Sequence, residues 1–126
     1  ASIKIIGPYS FQYTKIASIF ISHHITKICE SAFSMNKSLQ KVEIPSNSQL
    51  RTIEKYAFAN TSIECLSFPQ TLCELKDGWC AGSYSLQSVT VDSNNKHFKS
   101  VDNGLLIRKS DIKVTFLMCF FCGSPN

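Results

Sequence analysis

The sequence predicts a solenoid, a stack of short coils that each add one parallel strand to a shared sheet. Three observations predict it. The phrase "KICESAF" at 27–33 returns as "TIEKYAF" at 52–58. Its closing position forms a series, Phe11, Phe33, Phe58 and Cys80, at intervals of 22, 25 and 22 residues. Around that series the apolar residues keep one phase in every row, and self-similarity at such a period marks stacked repeats.

The columns can be read in order along one unit. Three residues before the second column stand Ile3, Ile25, Leu50 and Leu72, and five residues before the anchors stand Ile6, Ile28, Ile53 and Leu75. After each anchor comes an apolar triplet: Ile16-Ile19-Ile21, Leu39-Val42-Ile44, Ile63-Leu66-Phe68 and Leu86-Val89-Val91. In "LQKVEI" the apolar and polar residues alternate at the end, the period of a half-buried strand, with Val42 and Ile44 inward and Lys41 and Glu43 outward. Pro45 and Pro69 end two of these strands, because proline has no amide to give a ladder. The repeated phrase then turns the chain and inserts one large ring at the back, with Ala32 and Ala57 keeping the turn compact.

A unit of this size cannot bury its own apolar face, whereas stacked units share a continuous core. The one long interval is explained by "PSNSQ" between Ile44 and Leu50, two residues longer than its counterparts and rich in turn formers. Asn36 and Asn60 each stand three residues before a triplet. There they are expected either to hydrogen-bond turn backbone or to sit as exposed turn residues. The units fall near 2–22, 23–45, 46–69 and 70–92, followed by a terminal element at 93–108 and a hairpin strand and tail at 109–126.

Composition agrees with a folded domain. The 126 residues are 44% hydrophobic and 17% charged, enough to bury a core. The net charge of +4 comes from thirteen basic residues scattered along the chain, without the clustered footprint of a nucleic-acid binder. The longest apolar run, "VTFLMCFFC" at 114–122, falls well short of the roughly 20 residues of a spanning helix, so it reads as a buried strand and no membrane insertion is expected. The chain opens on alanine without a signal-peptide pattern, which leaves a mature form and a fragment both open. Ile3 belongs to the middle of a unit with no triplet before it, so this end is expected to meet upstream repeats or another partner.

The segments "LQKVEIP", "LRTIEKYAF", "ITKICESAF" and "IIGPYSF" resemble the BspA-type leucine-rich repeat, and "NNKHFKSVDNGLLIRK" resembles the terminal element of such arrays. The resemblance covers about residues 2 to 108. It implies a leucine-rich repeat solenoid: a curved right-handed stack of four to five units of about 23 residues, one concave parallel strand per unit, and a C-terminal β-hairpin cap. It also implies a cell-surface or secreted protein that adheres to host or matrix partners. Two places depart from the pattern. The fourth unit has "GWC" where Ala-Phe is expected, so Trp79 or Cys80 must fill that pocket differently, and after Lys109 the chain leaves the repeat, with "LLIRK" and "IKVTFLM" expected to pair.

Reactive chemistry is sparse. Cys119 and Cys122 have CxxC spacing but apolar neighbours and no second ligand pair, so a buried thiol pair or an exported disulfide is the plainer reading. His23 and His24, near Cys29, fall in a loop after a strand and read as solvated. Glu30, Glu43, Glu54, Glu64 and Glu74 fall mostly on outward positions, and no hydrolase, phosphate-loop or metalloprotease motif is present. No enzyme, metal or cofactor is therefore expected. What remains is the outward concave face: Ser18, Phe20 and Ser22; Lys41 and Glu43; Cys65 and Ser67; Ser88, Thr90 and Asp92. Phe20 is the one aromatic there, a favoured anchor in binding patches, unless neighbouring chain covers it. The expected function is recognition of a protein or glycan by this face; the alternative is a structural or assembly module, including an intracellular scaffold, that makes contact through the N-terminal edge.

Overall fold

The structure, a computed structural model, describes residues 3–101 and 105–108. It is a parallel β-solenoid of about four coils, with no helix among the described residues. Each coil carries two strands, one more than the apolar pattern indicates. The ascending strands β1 (Ile5–Ile6), β3 (Lys27–Ile28), β5 (Thr52–Ile53) and β7 (Glu74–Leu75) form a four-stranded parallel sheet. Its register pairs Ile6 with Ile28, Ile28 with Ile53 and Ile53 with Leu75, so one sequence column becomes one row of the core. Two residues cannot display a period of two, which is why these strands leave no alternation to read.

The triplets form the concave strands β2 (Ser18–Phe20), β4 (Lys41–Glu43), β6 (Cys65–Phe68) and β8 (Ser88–Val91). Here β2 pairs with β4 and β6 with β8, both parallel, but no ladder joins β4 to β6. That break falls at the long repeat interval. Two of its three extra residues lie in the turn between Ile44 and Leu50, and the third lies between Asn36 and Leu39.

Between the two sheets the columns are buried: Ile25, Leu50 and Leu72; Ile28, Ile53 and Leu75; Leu39, Ile63 and Leu86; Val42, Leu66 and Val89. In the first coil Ile6, Phe11, Ile16 and Ile19 are only half-buried, because a coil covers them on one side alone.

At the back of each coil the chain turns through two residues of positive φ, two before and two after the anchor. The first column is Tyr9, Ser31, Tyr56 and Gly78; the second is Tyr13, Met35, Asn60 and Gly82. Left-handed backbone costs a side-chain-bearing residue about 1–2 kcal/mol. The conformation aims alternate amides at the next coil: Tyr9 to Glu30 O (3.1 Å), Phe11 to Ala32 O (2.7 Å) and Tyr13 to Ser34 O (3.1 Å). Coil two repeats this with Ser31, Phe33 and Met35 donating to Lys55, Ala57 and Ala59 at 2.8–2.9 Å.

These turns separate Asn36 from Asn60. The turn from anchor to triplet is one residue longer in the second and fourth coils, so counting back from the triplet misaligns the two residues. Asn60 is exposed and left-handed, in the column of Tyr13. Asn36 is fully buried and aligns with Thr14, Thr61 and Ser83. Its Nδ2 donates to Thr14 Oγ1 (2.8 Å), a side chain and not turn backbone. The Thr61 and Ser83 hydroxyls lie 2.9 Å apart, and both stand within hydrogen-bond reach of Phe58 O, Ser83 at 2.6 Å and Thr61 at 3.3 Å.

The fourth coil solves its departure with both residues. Cys80 takes the anchor position and is buried, while Trp79, also buried, packs edge-on against Phe68 with centroids 5.4 Å apart. Beyond it the phase continues: Asn95 stands in the Leu72 column and Phe98 in the Leu75 column. Buried Asn95 donates to Pro69 O (2.8 Å) and Leu72 O (3.0 Å) and accepts the amides of His97 and Phe98, closing the last coil with polar bonds. Strand β9 (Phe98–Val101) then pairs antiparallel with β10 (Leu105–Arg108). The hairpin partner of "LLIR" is thus the preceding "FKSV"; the expected partner "IKVTFLM" and the cysteine pair at 119 and 122 lie outside the described residues.

Candidate functional site

Strand alternation puts one side chain in two on the concave surface, and parallel pairing aligns them across coils. Ser18 stands beside Lys41 and Phe20 beside Glu43; Cys65 stands beside Ser88 and Ser67 beside Thr90. Ser18, Phe20, Lys41, Glu43, Cys65, Ser67 and Thr90 are exposed, while Ser22, Ser88 and Asp92 are half-buried. All ten therefore lie on or at the rim of one face. Several are already engaged within it. Lys41 pairs with Glu43 at 3.1 Å, an exposed pair that water and salt screen. Thr90 donates to Ser67 Oγ (2.9 Å), and Asp92 Oδ1 accepts the Asn94 amide (2.8 Å) as a turn cap.

Among the hollows of this face are two of about 330 Å³. Where the concave sheet parts, a cleft of about 330 Å³ opens between β4 and β6, lined by Gln40, Lys41, Val42, Glu64, Cys65 and Ser67 among others. At the first coil a more apolar groove of about 330 Å³ is lined by Ile3, Ile5, Phe11, Ile19 and Phe20 with their neighbours. Phe20, 61% exposed, reaches both the concave surface and this end groove.

The ascending sheet carries a second polar surface that the sequence reading missed with its strands. Lys27 meets Glu54 at 3.5 Å, and Glu74 accepts from Lys76 (3.2 Å) and Thr52 (3.1 Å). Those hydrogen bonds, Lys76 first and Thr52 next, hold the Glu74 carboxyl below its ordinary pKa. Four tyrosines are also exposed at the back: Tyr9, Tyr13, Tyr56 and Tyr84. The signal that could have found three of them is their place two residues from an anchor.

The rings of His23 and His24 lie 3.9 Å apart, half-buried and not fully solvated. Cys29, Cys65 and Cys73 are free thiols. No group of three or more His, Cys, Asp or Glu that could hold a metal ion occurs among the described residues. None of the helices needed to cross a membrane occurs there either.

Comparison with known proteins agrees with this architecture. The family model for the BspA type leucine rich repeat region matches residues 3–112, in six copies. The crystal structure of the pneumococcal vaccine antigen PcpA superposes with a TM-score of 0.81 and 32% identity, over 85% of this chain and 26% of that one. A leucine rich cell surface protein from Faecalibacterium prausnitzii superposes with a TM-score of 0.72 and 20% identity, over 81% of this chain and 26% of that one. A leucine-rich repeat protein from Eubacterium ventriosum gives 0.63 and 22%, over 84% of this chain and 34% of that one. At those identities the last two show the fold alone, and this chain spans about a quarter to a third of the length of all three. No curated protein matches the chain. With six repeat copies across residues 3–112 and four coils in the matching phase, the chain belongs to the BspA-type leucine-rich repeat family.

Proposed function

We propose that the chain is a non-enzymatic recognition module of a surface or secreted protein, binding a protein or glycan through its concave sheet. The observation that carries this reading is the row of outward side chains on β2, β4, β6 and β8, polar except for the Cys65 thiol and the exposed aromatic ring of Phe20. An aromatic anchor in a polar surround is how contact energy is concentrated in recognition surfaces. One structural neighbour is a cell surface protein and another a vaccine antigen, which supports the location. The affinity would come from complementarity over several strands, with the β4–β6 cleft admitting a side chain or sugar. The test is binding of the purified chain to a panel of matrix proteins and glycans, compared with the double variant Phe20→Ala, Lys41→Glu. Weaker binding with an unchanged melting curve supports the concave face; unchanged binding overturns it.

A second reading, a structural module that joins further protein, is favoured by the apolar groove at the first coil. In that case the concave double variant binds normally, and changes at Ile3 alter assembly.

A further inference from the structure

The concave sheet is interrupted at one step, and its neighbours on either side show which groups that step leaves open. Between the first and second coils, Gln40 N and Lys41 N donate to Ala17 O (2.9 and 3.3 Å) and Ile21 N donates to Glu43 O (2.8 Å). Between the third and fourth, Gln87 N donates to Glu64 O (2.8 Å) and Asp92 N to Phe68 O (3.0 Å). At the middle step the corresponding bonds, from Cys65 N to Gln40 O and from Ile44 N to Ser67 O, are not made. The two coils are tied earlier instead, where Ser62 N donates to Leu39 O (3.0 Å) and the Ser62 hydroxyl to Lys37 O (2.6 Å).

Successive peptide groups of a strand face opposite neighbours. Lys41 and Glu43 are turned to β2, and Glu64 and Phe68 to β8. Val42 on one side, and Cys65 and Ser67 on the other, therefore turn amide and carbonyl toward the gap. Those backbone groups have no hydrogen-bond partner among the described residues. A backbone polar group withdrawn from water needs a partner. The cleft has an apolar floor, the buried side chains of Val42 and Leu66, and a polar rim that includes Lys41, Glu64 and Ser67. Its volume of about 330 Å³ lies within the roughly 300–1,000 Å³ of small-molecule sites.

We infer that this cleft is the subsite for an acetamido sugar, with the acetamido group in the gap and the ring hydroxyls on the rim; the inference rests on the concave-face reading above and names its ligand. An acetamido group carries one N–H, one carbonyl and one methyl. The N–H finds the open carbonyls of Gln40, Val42 and Cys65, the carbonyl finds the open amides of Val42 and Ser67, and the methyl lies on the Val42 and Leu66 floor. A plain hexose has hydroxyls for the rim but neither the planar amide nor the methyl. The rim selects a sugar over a protein side chain. Lysine, glutamate and serine are depleted at the centres of protein–protein interfaces, whereas an ammonium, a carboxylate and a hydroxyl are partners for sugar hydroxyls.

The experiment titrates the isotope-labelled chain with N-acetylglucosamine and follows its amide resonances by NMR, with glucose and a short glutamine peptide as comparisons. The Val42, Cys65 and Ser67 amides should shift saturably, with a Kd at least roughly tenfold below that for glucose, as expected for one or two hydrogen bonds. The peptide, a carboxamide without ring hydroxyls, should also bind more weakly. Cys65→Tyr places a ring over the cleft from an exposed position, so it should leave the melting curve unchanged and abolish these shifts. Unmoved Val42 and Ser67 amides overturn the inference, as do equal binding of glucose and unchanged binding by the Cys65→Tyr variant. Peptide binding as tight as that of the sugar assigns the cleft to a protein side chain and also overturns it. Shifts gathered around Phe20 with the cleft amides still overturn this subsite while leaving the concave-face reading in place.

Discussion

Phe33 stacks on Phe58 with ring centroids 5.3 Å apart and planes 2° from parallel. Phe11 continues the stack on the other side of Phe33 at 5.2 Å and 3°. Each ring stands at the same point of its coil, and near-identical spacing follows because the backbone amides beside the rings fix the coil separation. The row ends at Cys80, whose side chain is too short to stack; Trp79 and Phe68 fill the space at an angle. The repeated phrase of the sequence is therefore the part of the fold that sets the distance between coils.

Phe33 is the ring with a neighbour on both faces, and it is fully buried. Phe33→Ala should cost about 3–5 kcal/mol, the transfer term plus the cavity between two rings. Against the roughly 5–15 kcal/mol of a typical domain, that leaves little or no stability. Phe33→Leu keeps much of the volume and should lose clearly less. Urea midpoints of the two variants check the order; equal losses would mean that stacking, not volume, decides the site.

Asn36 offers a gain. Its Oδ1 is buried and has no hydrogen-bond partner among the described residues, a state that costs about 1–3 kcal/mol. Thr14 and Thr61, in the same column, turn their hydroxyls to the anchor carbonyls Phe11 O and Phe58 O. Asn36→Thr should let the new hydroxyl reach Phe33 O and remove the orphaned acceptor. We expect a urea midpoint at or above that of the parent, while Asn36→Ala, which loses the Thr14 contact and leaves a small void, should fall below it.

How far these features can be read beforehand depends on what each one needs from the chain. The core columns are legible because burial constrains every unit alike, so Leu50, Ile53 and Phe58 repeat Ile25, Ile28 and Phe33. The ascending strands are invisible because two residues carry no periodicity, and the break between β4 and β6 falls at the turn that adds two residues after Ile44. The positive-φ columns are masked because only Gly78, Gly82 and Asn60 are residues that announce that conformation, while tyrosine, serine and methionine fill the other places. The concave residues are legible as a face, since alternation places them; which of them meets a ligand depends on the partner's shape, and the chain alone does not encode that.

Gly78 shows the local cost of the turn. Its φ is +67°, and a Cβ there would come within 2.5 Å of the Tyr56 ring in the coil before. Gly78→Ala should therefore lose about 1–2 kcal/mol from left-handed backbone alone, with a further loss from displacing the ring. Tyr56 is exposed and can swing aside, so the second part should be small. A double-mutant cycle with Tyr56→Ala separates the two. If the double variant recovers most of the loss, the clash dominates and the backbone argument fails.

The same back surface contains a titration that can be followed directly. The hydroxyl of Tyr9 donates to Glu30 Oε2 in the next coil at 3.2 Å. That hydrogen bond first, and the carboxylate charge second, raise the Tyr9 pKa above its ordinary value. The folded-state pKa lies above the unfolded one, so the contact's contribution is complete below the unfolded value of about 10 and fades as pH rises through the folded value. Because the pair is exposed, its effect on overall stability should be slight. Glu30→Gln keeps an acceptor but removes the charge, and it should move the Tyr9 midpoint back down by part of the shift; Glu30→Ala should remove most of it, leaving the small contribution of burial. Ring resonances of Tyr9 followed by NMR from neutral to strongly alkaline pH report both midpoints, and identical titration in all three proteins would show that the contact between the first two coils is not held in solution.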